Sequence, residues 1–390
     1  MAKSSPQMWL RQHSFPALKT GSSVWVEIHR ENLLKNLGIV KRLAGSGTGI
    51  IAVVKANAYG HGLEIVASTL APHVYMFAVT RVQEALRLRE YGIDTPVLIL
   101  GPVSAVELKT AIQTRSLVTI SSLEEAYCLN EEAERLNRSI FAHIKVDTGM
   151  GRLGVPVAIA LGEILKIAKL SRLEVKGLYT HFPSADESGS LFTQKQMGNF
   201  KQLVNSLKKK GLELEATHLS NSSAVVSAQN AGGSLVRPGI MLYGVLPGGL
   251  SGKSPKLGLE PVLSWRAKVA FVKELQKGET CGYARAFKAA RKTRIAWLPV
   301  GYSHGYPFSL SSVAQVLIKG KRYQVAGRVS MDFLGVNIGA GSDIYAGDIA
   351  TLIGKDRDEI TVSEVARWAK TIPYEIMTGI HPSVPRRVFP

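Results

Sequence analysis

Lys55 closes the apolar run Ile50 to Val54, and the residues after it, Ala56-Asn57-Ala58-Tyr59-Gly60-His61-Gly62, are small, polar and glycine-rich. A short apolar run of this kind reads as a buried strand. The glycines let the backbone turn sharply and come close to a ligand. A lysine at the inner end of a strand is desolvated, so its ammonium pKa falls and the free amine becomes a nucleophile or a Schiff-base former. Taken alone, a lysine at a strand-to-loop junction is far more often a surface residue. Other chemistry-bearing residues, however, recur at the same kind of place. Lys145 and Asp147 end the strand predicted over Ile140–Val146, and His181 ends Val175–His181. Asn221 and Ser222 follow Ala216–Ser220, while Arg237 and Gly239 lie on Leu235–Leu242.

The elements that must position these residues alternate. Further strands are predicted over Met76–Val79, Pro96–Leu100 and Leu117–Ile120. Helical patterns run over Glu31–Leu43, Arg81–Tyr91, Leu123–Leu136, Ala158–Ala168 and Phe192–Lys209. About eight βα repeats make an α/β fold of the (β/α)8 TIM-barrel type, in which the C-terminal ends of the strands converge on one mouth. A doubly wound sheet would also alternate, but no Gly-x-Gly-x-x-Gly follows the first strand. A Gly/Pro/Ser-rich linker is predicted over Leu246–Pro255. Beyond it a β-rich C-terminal domain is expected, with strands over Ala267–Val272, Thr293–Pro299, Gln315–Ile318, Gln324–Val329 and Ile349–Ile353, and helix only near Val362–Thr371. The expected division is an N-terminal extension over 1–23, a barrel over 24–250 whose first strand (24–30) could join the second domain, and that second domain over 251–390.

Composition excludes several classes of function. With 390 residues and 45% hydrophobic content the chain can bury a large core. No apolar run approaches the roughly 18 residues that span a bilayer, so no membrane partner is expected. The opening segment lacks the apolar core and cleavage site of a secretory signal. Cys128 and Cys281 have neither metal-ligand nor disulfide-framework spacing, so no metal is expected and a reducing, cytoplasmic setting fits them. The net charge of +18 invites a nucleic-acid reading. Its sources are short and scattered, with no aromatic interleaving and no recognition motif. A basic surface that attracts small anions accounts for it.

The run around Lys55 resembles the cofactor-lysine motif of the fold-type III pyridoxal-phosphate enzymes, and among these it is most similar to the alanine racemase family. The resemblance extends through His143-Ile144-Lys145-Val146-Asp147-Thr148-Gly149-Met150-Gly151-Arg152, Thr180-His181-Phe182, His218 to Ala224 and Val236-Arg237-Pro238-Gly239-Ile240. It continues in Pro299-Val300-Gly301-Tyr302 and Gly327-Arg328-Val329-Ser330-Met331-Asp332. It implies pyridoxal 5'-phosphate as cofactor, interconversion of L- and D-alanine, and a homodimer with composite sites supplying D-alanine for peptidoglycan. Racemisation needs an acidified Cα–H and proton carriers on opposite faces of a planar intermediate. The resemblance assigns one face to Lys55 and the other to Tyr302, with the nearby positive charge or donors that a tyrosine base needs supplied by His181 and Arg237. Arg237 would face the pyridine nitrogen and leave it unprotonated. Tyr59, Asn221, Ser222, Gly239 and Ile240 match cofactor-holding positions, and Arg152 and Met331 match the substrate carboxylate or cofactor phenolic oxygen. Lys145 matches a lysine that many members carry as a carbamate; a plain Lys145–Asp147 contact is the alternative.

Three departures stand out. Pro382 is expected where the family usually places a phosphate-binding tyrosine, which would weaken cofactor binding and admit serine more readily. His304 precedes Gly305 where an acidic residue is common, and Phe308 stands where a basic one is frequent. The rival functions are a racemase of serine or of broader range, an amino-acid decarboxylase, which Arg237 disfavours, and a non-catalytic pyridoxal-phosphate-binding protein.

Overall fold

The computed structural model describes residues 22–389 except 188, 228–231, 247–249 and 251–256. Most of the expected linker and of the N-terminal extension lies outside the described residues.

Eight parallel strands, Gly49–Val53, Met76–Val79, Val97–Ile99, Ser116–Ile120, Ile140–Asp147, Leu173–Tyr179, Ala216–Asn221 and Leu235–Arg237, pair in sequence order. Leu235 pairs with Gly49 and Val236 with Ile50, which closes the barrel. Met76–Val79 and Val97–Ile99 are buried at every position, as strands sandwiched between a barrel interior and a helical shell require. The barrel expectation is therefore borne out, with two boundary corrections. The last strand stops at Arg237, because Pro238 has no N–H to donate and Gly239 (φ −122°, ψ −94°) redirects the chain into a 3-10 turn over Ile240–Tyr243. His181 lies two residues past the strand that ends at Tyr179, on the connection leading away from it.

Glutamate at the third helical position recurs as a clasp at the barrel mouth. Glu84 accepts from the amides of Thr80 and Arg81, Glu107 from Ser104, and Glu125 from Ser121. Such caps satisfy amides that a helix start leaves unpaired.

The second half is a mixed sheet. Val24–His29 pairs antiparallel with Leu263–Lys268 and parallel with Arg386–Phe389, so the first strand lies in this sheet and outside the barrel. The stretch expected as one strand over 267–272 is two, Leu263–Lys268 and Phe271–Leu275, separated by a corner at Val269–Ala270. The strand expected over 324–329 runs Lys321–Ala326, ended by Gly327 at φ +75°. A second helix, Pro373–Gly379, was not anticipated; Pro373 sits in its first turn, where a missing N–H costs nothing. Asn36 ties the halves together: its amide donates to Leu242 O (3.1 Å) and Glu260 O (2.8 Å), and its oxygen accepts from the Glu260 amide (2.8 Å). Among the described residues no helix is long and apolar enough to cross a membrane.

Candidate active site

Immediately after Lys55 the backbone does something its sequence hardly permits. Ala56, Asn57, Ala58 and Tyr59 have φ of 53°, 54°, 53° and 53°, one turn of left-handed helix without glycine. Each such residue costs roughly 1–2 kcal/mol, so the surroundings must over-determine the turn. Gly60 N donates to Ala56 O (3.0 Å), Leu63 N to Asn57 Oδ1 (2.8 Å) and Ala56 N to Glu84 Oε1 (2.6 Å). Buried His61 Nδ1 lies 2.9 Å from Tyr59 O. From the other half, Arg386 Nε donates to Gly60 O (3.0 Å), and a Cβ on Gly60 would collide with the Met377 carbonyl. The turn carries buried Tyr59 into the barrel mouth, where a Cβ on Gly239 would strike its hydroxyl.

The mouth holds a cavity of about 400 Å³, within the range of small-ligand sites. Lys55, Tyr59, Lys145, Arg152, His181, Asn221, Ser222, Arg237, Gly239 and Ile240 all line it, as do Tyr179 and Tyr374. Among the described residues its charged lining is wholly cationic, with no carboxylate. Burial lowers the Lys55 pKa, Arg152 lowers it further, and Glu84 opposes them. Lys145 is pushed down to about 8 by burial, Arg152 and Arg237, against the pull of Asp147. Asp147 itself turns to the backbone and accepts from the amides of Gly149 (2.9 Å), Met150 (2.8 Å) and Gly151 (2.9 Å), shaping the loop that delivers Arg152.

Arg237 is buried under the cavity. It donates to Thr180 O (2.6 Å) and His218 O (2.8 Å), lies 2.7 Å from His218 Nδ1, and stacks 5.0 Å from the Tyr179 ring centroid. Burial lowers its pKa to about 10, so it remains cationic at neutral pH. The chain continues inward, with His218 Nε2 2.7 Å from His143 Nδ1. His181 Nδ1 lies 3.3 Å from Arg237. Burial, then Arg237, Arg152 and Lys145, hold His181 well below 6.5. His181 is therefore neutral at pH 7, and of this pair the positive charge lies on Arg237.

These buried neutral histidines make stability pH-dependent. His61 and His143 are each lowered to about 4, chiefly by burial, whereas the same rings titrate near 6.5 when unfolded. The unfolded chain binds more protons between those values, so stability falls as pH drops from about 6.5 to about 4. The expected loss is up to about 1.4 kcal/mol per unit for each ring. Thermal midpoints measured across that range should decline steadily; a flat profile would show that these rings are not neutral in the folded protein.

Not every expected residue joins the cavity. Tyr302 (46% exposed) and Met331 (55% exposed) lie away from it on the second half, where the Tyr302 amide donates to Ser330 O (3.1 Å). Tyr283 (71% exposed) stands on the same half beside Ser330 and Phe333, which share a second cavity with it. Asn221 has both ends of its amide engaged, donating to Phe182 O (3.0 Å) and accepting from Ala224 N (3.0 Å). The Pro382 expectation is wrong. Pro382 lines a separate cleft with Asn57, Arg81 and Thr378, while Tyr374, from the unanticipated helix, reaches the cavity with its ring centroid 6.1 Å from that of Tyr59. The run Pro373-Tyr374-Glu375 carried the signal, as a helix start with an exposed-type tyrosine in its first turn. With Tyr374 in place, the expected weakening of cofactor binding and widening toward serine lose their basis.

Residues 28–247 match the family model described as alanine racemase, N-terminal domain, and residues 262–388 match the model for its C-terminal domain. An alanine racemase of Carboxydothermus hydrogenoformans is 41% identical over 367 residues, covering 93% of this chain and 98% of that protein. One from Halothermothrix orenii is 39% identical over 364 residues, covering 93% and 96%. The solved alanine racemase of Clostridium difficile 630 superposes with a TM-score of 0.90 at 34% identity, covering 95% of this chain and 97% of that one. A Bacillus anthracis alanine racemase structure with bound L-Ala-P gives 0.89 at 33% identity, covering 95% and 96%. By fold, by both domain models and by these identities, the chain belongs to the alanine racemase family.

Proposed function

We propose that the protein interconverts L- and D-alanine using pyridoxal 5'-phosphate held in the barrel mouth, as a cytoplasmic isomerase whose D-alanine serves peptidoglycan. The observation that carries this reading is the cavity itself: a depressed-pKa lysine within a cationic lining and a cradle of hydroxyls and amides. That donor set suits a dianionic phosphate joined to a carbonyl, and the cofactor supplies the electron sink that acidifies the substrate Cα–H. Lys55 would hold the cofactor through its amine, and that amine, when free, would move a proton at one face of the substrate Cα. Tyr59, Ser222, Tyr374 and the turn at Gly239–Ile240 hold the phosphate; Ser222 Oγ already accepts from Gly239 N (2.8 Å), which leaves its own proton to donate. Arg237, still protonated and a donor only, would leave the nitrogen of the cofactor ring without a proton. Arg152 and the Met331 amide orient the substrate carboxylate or the phenolic oxygen. A carbamate on Lys145 would replace a cation that Arg152 repels with an anion that orients it. Asn221 acts by holding the start of the following helix.

Tyr302 and Met331 reach the cavity of a second copy in a head-to-tail homodimer; their exposure and their absence from the cavity of their own chain support this. Tyr283 is the rival for the second proton carrier, because it is the more exposed and Ala284 (φ 56°) and Arg285 (φ 52°) after it are strained, as functional loops often are. The proposed domain division is a barrel over 24–250, less its first strand, and a β-rich domain over 251–390. The deciding experiment is racemisation of a panel of L-amino acids by the purified chain. Exchange of the alanine Cα–H with solvent, well above serine, supports the reading; no turnover of either favours a non-catalytic binding protein.

Removing the hydroxyl of Tyr374 tests the cradle. A hydrogen bond to a charged group contributes roughly 1.5–3 kcal/mol, so Tyr374→Phe should weaken pyridoxal phosphate about ten- to a hundredfold. Fluorescence titration of cofactor checks this, and an unchanged Kd would place the phosphate elsewhere.

A further inference from the structure

We propose that Glu84 is a positioning residue for Lys55: its carboxylate clamps the amide of Ala56, first residue of the left-handed turn, onto the next barrel helix and so fixes where the lysine amine points. Oε1 accepts from Ala56 N (2.6 Å), while Oε2 accepts from Thr80 N (2.9 Å) and Arg81 N (3.1 Å). One side chain thus joins the residue after the lysine to the end of the neighbouring strand repeat. This inference rests on the reading of Lys55 as the cofactor-bearing lysine.

The turn explains why such a clamp is needed. Most of its other hydrogen bonds close it on itself: Gly60 N to Ala56 O, Gly62 N to Asn57 O and Leu63 N to Asn57 Oδ1. Arg386 holds the far end at Gly60 O. At the near end, one bond from the lysine, the Ala56 amide has turned away from the backbone ladder, and Glu84 meets it. Without that acceptor the strained turn can relax, and Lys55 would relax with it.

A capping role alone would leave Glu84 equivalent to its counterparts. Glu107 caps Ser104 in the following repeat and accepts from Gln83, without touching the lysine loop. Glu125 caps Ser121 and reaches the backbone of Val103. The design recurs, but only the Glu84 clasp lands beside Lys55. There it also supplies negative charge. Lys55 feels Arg152 and Glu84 directly, with Lys145, His181, Arg237, Tyr59, Tyr179 and Tyr374 around the same cavity. Glu84 opposes the depression of the lysine pKa, so its removal should lower that pKa further.

The experiment compares Glu84→Gln, Glu84→Ala and the cap control Glu107→Gln in the full chain. Before cofactor is added, the acetylation rate of Lys55 is followed against pH by mass spectrometry. The midpoint should fall by roughly half a unit to one unit in both Glu84 variants and stay in place in Glu107→Gln. With cofactor bound, kcat for alanine should fall about tenfold or more in Glu84→Ala, with less loss in Glu84→Gln, whose amide oxygen can still accept one of the amides. Thermal midpoints should drop similarly in Glu84→Gln and Glu107→Gln, separating the lost cap from the lost clamp. A Lys55 midpoint equal to wild type in folded Glu84→Gln and Glu84→Ala overturns the proposal. If borohydride instead fixes the cofactor on another lysine, the reading of Lys55 fails while the acetylation midpoint still decides whether Glu84 governs it.

Discussion

Lys55→Ala should lower kcat for alanine racemisation by at least about 10⁴-fold, the loss expected when one residue is both covalent anchor and proton carrier. Borohydride treatment of the wild-type protein should fix the cofactor on Lys55 and bleach its absorption. The serious competitor is Lys145, which lines the same cavity and is pushed down to about 8. Geometry separates the two. Lys145 lies inside the strand Ile140–Asp147, among the cations Arg152 and Arg237, while Lys55 stands past the end of its strand, beside the turn that carries Tyr59 into the cavity. Lys145→Met should therefore cost far less than Lys55→Ala and leave the borohydride label where it was. A label on Lys145 would reverse the assignment.

The barrel was legible because strands such as Met76–Val79 and Val97–Ile99 are buried throughout and read as short, continuous apolar runs, with amphipathic helices between the repeats. Strand ends carrying Lys55, Lys145, Asn221 and Arg237 then pointed to one mouth without any knowledge of side-chain geometry. The left-handed turn was not legible. Of Ala56 to Tyr59, only Asn57 tolerates positive φ readily, and the conformation is imposed by partners far along the chain, Glu84, Met377 and Arg386. Tyr374 was missed for a related reason: its helix is short, and it reaches the cavity because the second half docks against Gly60. Whether His181 brings charge or a donor is not legible from its residue type; burial among Arg237, Arg152 and Lys145 makes its protonation unfavourable.

Neither Tyr302 nor Tyr283 lines the cavity of its own chain, which makes subunit complementation the sharpest test of the second proton carrier. Tyr302→Phe should lower kcat by about 10²–10⁴-fold if its hydroxyl moves the proton at the face opposite Lys55. Mixing inactive Lys55→Ala with inactive Tyr302→Phe then restores one intact site in each mixed dimer. Random exchange makes half the dimers mixed, each with one working site of two, so activity should recover to roughly a quarter of wild type. The same mixture made with Tyr283→Phe decides between the two tyrosines. If Tyr283 is the carrier, Tyr283→Phe shows the large loss and the complementation, while Tyr302→Phe keeps most of its kcat and shifts mainly KM, as a residue lining the approach would. Absence of recovery with either partner, after subunit exchange has been demonstrated, would mean that the proton at the second face comes from the Lys55 subunit itself.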